Sequence, residues 1–154
     1  MIAVPPEFDG WMSLALAEAD ACRVSDDVPV GAVVVDASGV VIATGRNERE
    51  LRRDPTAHAE VLALRAAAEH TGDWHLTGTT LVVTLEPCPM CAGALLAARV
   101  PRLVYGAWDE KAGGAGSVYD IVRDRRLPHR AEVYAGVREP ECRAQLDAFF
   151  AARR

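Results

Sequence analysis

The chain is predicted to fold as an α/β protein: one domain over residues 1–154, with a mixed, mostly parallel sheet of five strands covered by helices. Two observations carry that prediction. Short β-branched runs alternate with longer stretches in which apolar residues recur near the helical period. Between them stand Gly, Pro and Asp clusters that continue neither pattern. Length adds a third: 154 residues, half hydrophobic and a quarter charged, suit a soluble domain that buries its own core.

The first helix is expected over 8–24, where Trp11, Met12, Leu14, Ala15, Leu16, Ala19 and Cys22 form an apolar stripe that Ser25-Asp26-Asp27 ends. The β-branched run 28–35 predicts a buried strand, Asp36-Ala37-Ser38-Gly39 a turn, and 40–45 a returning strand, hence a hairpin. Residues 46–56 read as a polar, Arg-rich loop. A helix is expected over 57–70, with Val61, Leu62, Leu64 and Ala68 on its apolar side and Thr71-Gly72-Asp73 as its stop. Strands are expected at 81–85, 103–106 and 130–134. Pro89 suits the first position of a helix ending near Arg99, and a closing helix is expected over 139–154, with Cys142, Leu146, Phe149 and Phe150 on one face. The Gly-rich stretch 109–117 reads as a loop; without a following Gly-Lys-Ser/Thr it is not a phosphate loop.

Charge is unevenly spread. Residues 1–30 hold six acids against one base, leaving the other 124 residues with 16 of each and the chain with a net charge of −5. Arginines cluster at Arg46, Arg49, Arg52 and Arg53, at Arg123, Arg125, Arg126 and Arg130, and at Arg153 and Arg154; Lys111 is the one lysine. Arg forks suit phosphate, and solvated surface is the competing reading. No apolar run of about eighteen residues exists, so no membrane helix is expected. The first seven residues lack a basic start and an apolar core, which predicts a cytoplasmic protein.

Two stretches carry chemistry: Pro55-Thr56-Ala57-His58-Ala59-Glu60 and Pro87-Cys88-Pro89-Met90-Cys91. Cys88 and Cys91, three apart at a helix start, share a face and can reach one ion. His58 and Glu60 sit at the mouth of the next helix upstream, where side chains lean toward the helix N-terminus. Two sulfurs and one imidazole leave a fourth tetrahedral position open, the pattern of catalytic zinc with an activated water. Glu60 is then free to move protons. A Cys-x-x-Cys pair alone also fits redox cycling, but the upstream His-x-Glu favours metal. Cys22 and Cys142, without ligand-like neighbours, are expected to be small buried hydrophobes, and His70, His75 and His129 surface or packing residues.

The His-x-Glu and Pro-Cys-x-x-Cys pair resembles the signature of zinc nucleobase deaminases. Nearly end to end, the chain is similar to the cytidine deaminase superfamily and, more closely, to the bacterial tRNA-specific adenosine deaminases. The shared stretches are Pro29-Val30-Gly31-Ala32-Val33, Gly45-x-Asn47, Asp54 to Glu60, Thr84 to Ala94, Gly106-Ala107-x-Asp109-x-Lys111-x-Gly113-x-x-Gly116-Ser117, His129-Arg130, Gly136-Val137, Glu141-Cys142 and the closing Phe149-Phe150-x-x-Arg153-Arg154. Pro128 and Arg46 depart from the family pattern, which leads one to expect Asn and an aromatic there. The resemblance implies a three-layer α-β-α, cytidine deaminase-like fold. It implies hydrolytic conversion of adenosine to inosine at the tRNA wobble position, one zinc per subunit, and a homodimer that grips the anticodon loop. It implies His58, Cys88 and Cys91 as zinc ligands and Glu60 as the catalytic acid/base. Asn47 would contact the base, Val30 and Ala59 line its pocket, and Asp109 approach a neighbouring sugar. Phe149, Phe150, Arg153 and Arg154 would hold the RNA. Two competing readings use the same metal ligands: a free-base (guanine or cytosine) deaminase, which has no use for Arg-rich loops, and a non-catalytic zinc module, which has no use for Glu60.

Overall fold

The computed structural model describes residues 3–154; Met1 and Ile2, part of the stretch read above for a leader, lie outside it. Helix α1 spans Glu7–Ala21, strands β1 and β2 span Gly31–Val35 and Val41–Arg46, and a four-residue helix α2 spans Arg49–Arg52. Then come α3 (Ala59–Thr71), β3 (Thr80–Leu85), α4 (Pro89–Ala97), β4 (Arg102–Ala107), β5 (Glu132–Tyr134) and α5 (Glu139–Ala151). The strands lie in the order β2-β1-β3-β4-β5. One face carries α1 and α5 and the other α3 and α4, giving the three layers expected.

The sheet is mixed but not mostly parallel. Strand β1 runs antiparallel to both neighbours, β2 and β3, while β3, β4 and β5 are mutually parallel. The hairpin is the cause: a tight turn at Asp36–Gly39 reverses the chain, and β1 then inserts between β2 and β3. Four strands therefore point one way. The carboxyl ends of β2, β3 and β4, together with the segment entering β1, meet along a single edge of the sheet.

Other expectations shift for local reasons. Val28-Pro29-Val30 is not paired into the sheet, and pairing starts at Gly31. The Arg-rich loop contains α2, and β5 starts at Glu132 rather than 130. The buried stripe of α3 is Ala59, Glu60, Ala63, Leu64 and Ala67, not the larger Val61, Leu62 and Ala68 side. Small residues face inward because α3 lies almost against the backbone of β2. A Cβ on Gly45 would sit 2.4 Å from the Ala59 carbonyl oxygen and 2.6 Å from the Ala63 nitrogen. Cys22 and Cys142 are buried packing residues as expected, and burial raises both thiols, Cys142 to about 11. No described helix is long and apolar enough to cross a membrane.

Because Gly45 seats the first turn of α3, a side chain there should displace the helix that follows His58. Gly45→Ala is expected to cost about 1–3 kcal/mol of unfolding free energy, the range for overpacking, and to weaken zinc binding. Urea denaturation and zinc titration of the variant check both, and wild-type values would refute the seating argument.

Candidate metal centre

The site forms where two helices begin. His58 is the N-cap of α3, with extended backbone (φ −76°, ψ 152°), and Cys88 is the N-cap of α4 in a similar conformation (φ −70°, ψ 172°). Neither side chain makes a capping hydrogen bond. Each instead turns toward the other helix mouth. Pro89 opens α4 at its first position, where the missing N–H costs nothing, and Cys91 follows one turn in.

The His58 Nδ1 atom lies 3.6 Å from Cys88 Sγ and 3.5 Å from Cys91 Sγ. Zinc bound at about 2.05 Å from nitrogen and 2.3 Å from sulfur gives a tetrahedral N···S edge of about 3.6 Å. The nitrogen thus stands at zinc spacing from both sulfurs, and the three donors, all within 4.8 Å of one another, are the one His/Cys/Asp/Glu group of this kind among the described residues. Soft sulfur with imidazole selects zinc over magnesium or calcium.

Set by the protein alone, the three donors share protons. The hydrogen bond from Cys91, joined by one from His58, pulls the Cys88 thiol down to about 4. That same bond to Cys88 and burial hold the Cys91 proton on, and the bond to Cys88 raises His58. A metal replaces those protons. Glu60, at the second position of α3 and 4% exposed, is pushed up to about 7 by burial. A carboxyl near neutrality is matched to accepting and returning protons.

A cavity of about 140 Å³ opens beside this cluster. Its walls bring together most of the residues singled out from the sequence: Val30, Asn47, His58, Ala59, Glu60, Cys88 and Asp109. Asn47 is largely engaged with protein. Its Nδ2 donates to the Val28 carbonyl (3.1 Å) and its Oδ1 accepts from the Arg49 N–H (3.1 Å), leaving one N–H and one lone pair for a ligand. Three of the cavity's wall residues, Val28, Leu85 and Asp109, also line a groove of about 1190 Å³ between the 108–112 segment and α5.

The structure divides the tail quartet. Phe150, Arg153 and Arg154 line the groove. Phe149 instead faces an apolar hollow of about 580 Å³ between α1 and α5, which holds none of the metal donors. Arg153 stacks on the Phe149 ring, 3.3 Å from its centroid, and pairs with Asp26. Five of the nine other clustered arginines have acidic neighbours too: Arg46 with Glu18 and Glu48, Arg49 with Glu50, Arg52 with Glu48, Arg123 with Asp120, Arg126 with Asp124.

Three contributors escaped sequence reasoning. Arg49, named only within a cluster, is the one Arg or Lys on the cavity wall, its side chain half exposed. Asp27, 1% exposed, accepts from the N–H groups of Glu50 (2.6 Å) and Leu51 (3.3 Å) and from the Ser25 hydroxyl (2.5 Å), tying α2 to the segment before β1. Glu86, 2% exposed, sits among the N–H groups of the 109–117 loop. An isolated Asp or Glu in sequence is read as surface, so no local signal marks either acid as buried.

Comparison with known proteins gives the chain a family. Residues 7–107 match the cytidine and deoxycytidylate deaminase zinc-binding region. The chain is 45% identical over 140 residues to the tRNA-specific adenosine deaminase of Bacillus subtilis (strain 168), covering 91% of this chain and 86% of that protein. The chain belongs to the tRNA-specific adenosine deaminases. Among solved structures, one from a study of A-to-I editing by tRNA:A34 deaminases superposes with a TM-score of 0.85 at 43% identity, covering 89% of this chain and 99% of that one. A guanine deaminase from Bacillus subtilis matches less well, with a TM-score of 0.64 at 34% identity over 94% of this chain and 92% of that one. Within the deaminase family, zinc is the metal that His58, Cys88 and Cys91 fit.

Since protons and zinc compete for the same sulfur and nitrogen atoms, zinc affinity is expected to fall between about pH 8 and about pH 6. Competition against a chelator of known affinity measures it. Equal affinity at both pH values would contradict the proton-sharing arrangement.

Proposed function

We propose that this chain converts adenosine to inosine by hydrolysis at the wobble position of tRNA, with His58, Cys88 and Cys91 holding zinc and Glu60 moving the protons. The observation that carries the reading is the groove adjoining the cavity, with Val28, Leu85 and Asp109 as their shared wall. A pocket of about 140 Å³ beside the metal donors takes one unstacked base, and the groove of about 1190 Å³ beyond it has room for flanking nucleotides. A free-base deaminase needs the first and not the second. Arg49 stands at the pocket, and Lys111 and Arg154 line the groove, where a phosphate backbone would meet them.

His58, Cys88 and Cys91 would hold zinc, which would supply a water of lowered pKa and positive charge. Glu60 would accept a proton from the attacking water and deliver it to ring N1 of the adenine. It then carries the second proton from the new hydroxyl to the amino group, which leaves as ammonia. Burial pushes Glu60 up to about 7, which suits a group that must both accept and return a proton. Val30 and Ala59 give the base an apolar seat, and the free N–H and lone pair of Asn47 are left to read its edge. Asp109, on the wall that cavity and groove share, would approach the sugar of the neighbouring nucleotide. Phe150, Arg153 and Arg154 pack against the loop further out, with Phe149 supporting Arg153 from behind.

A homodimer and a cytoplasmic setting belong to the same reading. Helix α4 carries no charged residue, and Pro89, Met90, Gly93 and Ala97 leave one side of it exposed and apolar beside the metal donors. A second copy would cover that face. A reducing compartment goes with the four cysteines, none of which is disulfide-bonded.

The deciding assay is inosine formation on an anticodon stem-loop with adenosine at the wobble position, run beside free guanine and cytosine. Inosine with no turnover of the free bases is expected; the reverse would overturn the reading. Glu60→Ala should retain zinc and lose at least about 10²-fold in rate. For the dimer, sedimentation should give twice the chain mass, and Gly93→Glu should give the single mass. A wild-type monomer at micromolar concentration would reject it.

A further inference from the structure

We infer that Glu86 is a positioning residue, a buried carboxylate that holds Asp109 and the outer wall of the base pocket in place through the backbone of the 109–117 loop. The inference deepens the functional reading above and rests on it for the role of Asp109.

Glu86 follows the last residue of β3, and its own N–H bonds to the Ala107 carbonyl at the end of β4 (2.8 Å). Its side chain therefore starts from the rigid end of the sheet, two residues before Cys88. One oxygen, Oε1, accepts from the Asp109 N–H (3.0 Å) and the Ser117 hydroxyl. The other, Oε2, accepts from the N–H groups of Ala115 (3.1 Å) and Ser117 (3.0 Å). Glu86 takes part in none of the ion pairs among the described residues. Four donors from one loop are what this charge has in place of water, and hydrogen bonds to a charged group are the strong ones.

The loop closes tightly around it. A Cβ on Gly113 would lie 2.2 Å from Glu86 Oε2, so only glycine leaves the carboxylate its place. The Gly114 N–H donates to the Pro87 carbonyl (2.7 Å), fastening the same loop to the turn that presents Cys88. Asp109 is the loop's first anchored residue. Its N–H goes to Glu86, its carbonyl accepts from Gly113 (2.8 Å), and its Oδ1 accepts from the N–H groups of Lys111 and Ala112 (3.1 Å each). Through that chain of bonds Glu86 sets where the Asp109 side chain stands relative to the metal donors.

Replacing the carboxylate by its amide makes a directional test. With its oxygen in the Oε2 place, the amide still accepts from the Ala115 and Ser117 N–H groups, and the rotatable Ser117 hydroxyl can turn to accept from the amide NH₂. Only the Asp109 N–H then faces another donor. The opposite orientation would lose two bonds, so the first is favoured. Glu86→Gln should therefore free Asp109 selectively. Amide hydrogen exchange is expected to speed up at Asp109 while Ala115 and Ser117 stay protected, with zinc content unchanged. On the wobble-adenosine stem-loop, KM should rise about tenfold with a smaller change in kcat. In an Asp109→Ala background the same substitution should have no further effect on KM, as coupled residues require.

A folded, zinc-loaded Glu86→Gln with wild-type exchange at Asp109, or an effect on KM that simply multiplies with that of Asp109→Ala, overturns the inference. If Glu86→Gln does not fold, Ser117→Ala removes one donor at an exposed residue and carries the test. It must raise KM and lose that effect in the Asp109→Ala background, and an unchanged KM rejects the positioning role. Wild-type protein that forms no inosine on the stem-loop would instead refute the functional reading, leaving the exchange experiment to decide on Glu86 by itself.

Discussion

Two helix starts facing each other are the constraint on which the rest depends. An N-cap residue has extended backbone and a side chain free to leave the helix axis, and here both caps use that freedom toward a common point. The positive ends of two helix dipoles converge there and work against the burial that helps keep protons on Cys91 and Glu60. Only a metal or protons can satisfy an imidazole nitrogen held about 3.5 Å from two sulfurs. The zinc requirement thus follows from where the helices begin, and that follows from the close seating of α3 on β2 and from Pro89 at the head of α4.

The donor set was readable in the sequence because it depends on residue type and spacing alone. Cys88 and Cys91 are one helical turn apart wherever the helix lies, and an upstream His-x-Glu has few other uses. The elements were readable for similar reasons. What could not be read was direction and depth. Alternation of strands and helices does not reveal that β1 slips between β2 and β3, because strand order is settled by pairing over long range. On α3 hydropathy pointed to Val61 and Leu62, whereas the helix buries its alanines, because how closely two backbones approach depends on a glycine one strand away.

The buried acids are the sharper case. Asp27 and Glu86 look like surface residues in any composition-based reading, yet each is almost wholly enclosed and answered by backbone N–H groups rather than by cations. Each ties an irregular segment to the ordered sheet: Asp27 the segment carrying Asn47 and Arg49, Glu86 the one carrying Asp109. A pocket built from loops needs such internal fastening if its walls are to keep their spacing. Conversely, the arginine clusters promised more free positive charge than the fold leaves, because nearby acids take up several of them.

The common direction of β2, β3, β4 and β5 has a practical side. Everything the chemistry uses leaves from one edge of the sheet, so the opposite edge is released from it. That edge holds the Asp36–Gly39 turn, the stretch from Thr71 to His75 and the connection before Pro101, and the middle of these is exposed throughout. Added length at 71–75 would project away from both pocket and groove. It is the place to join a tag, a reporter or a second domain while leaving the catalytic edge as it is.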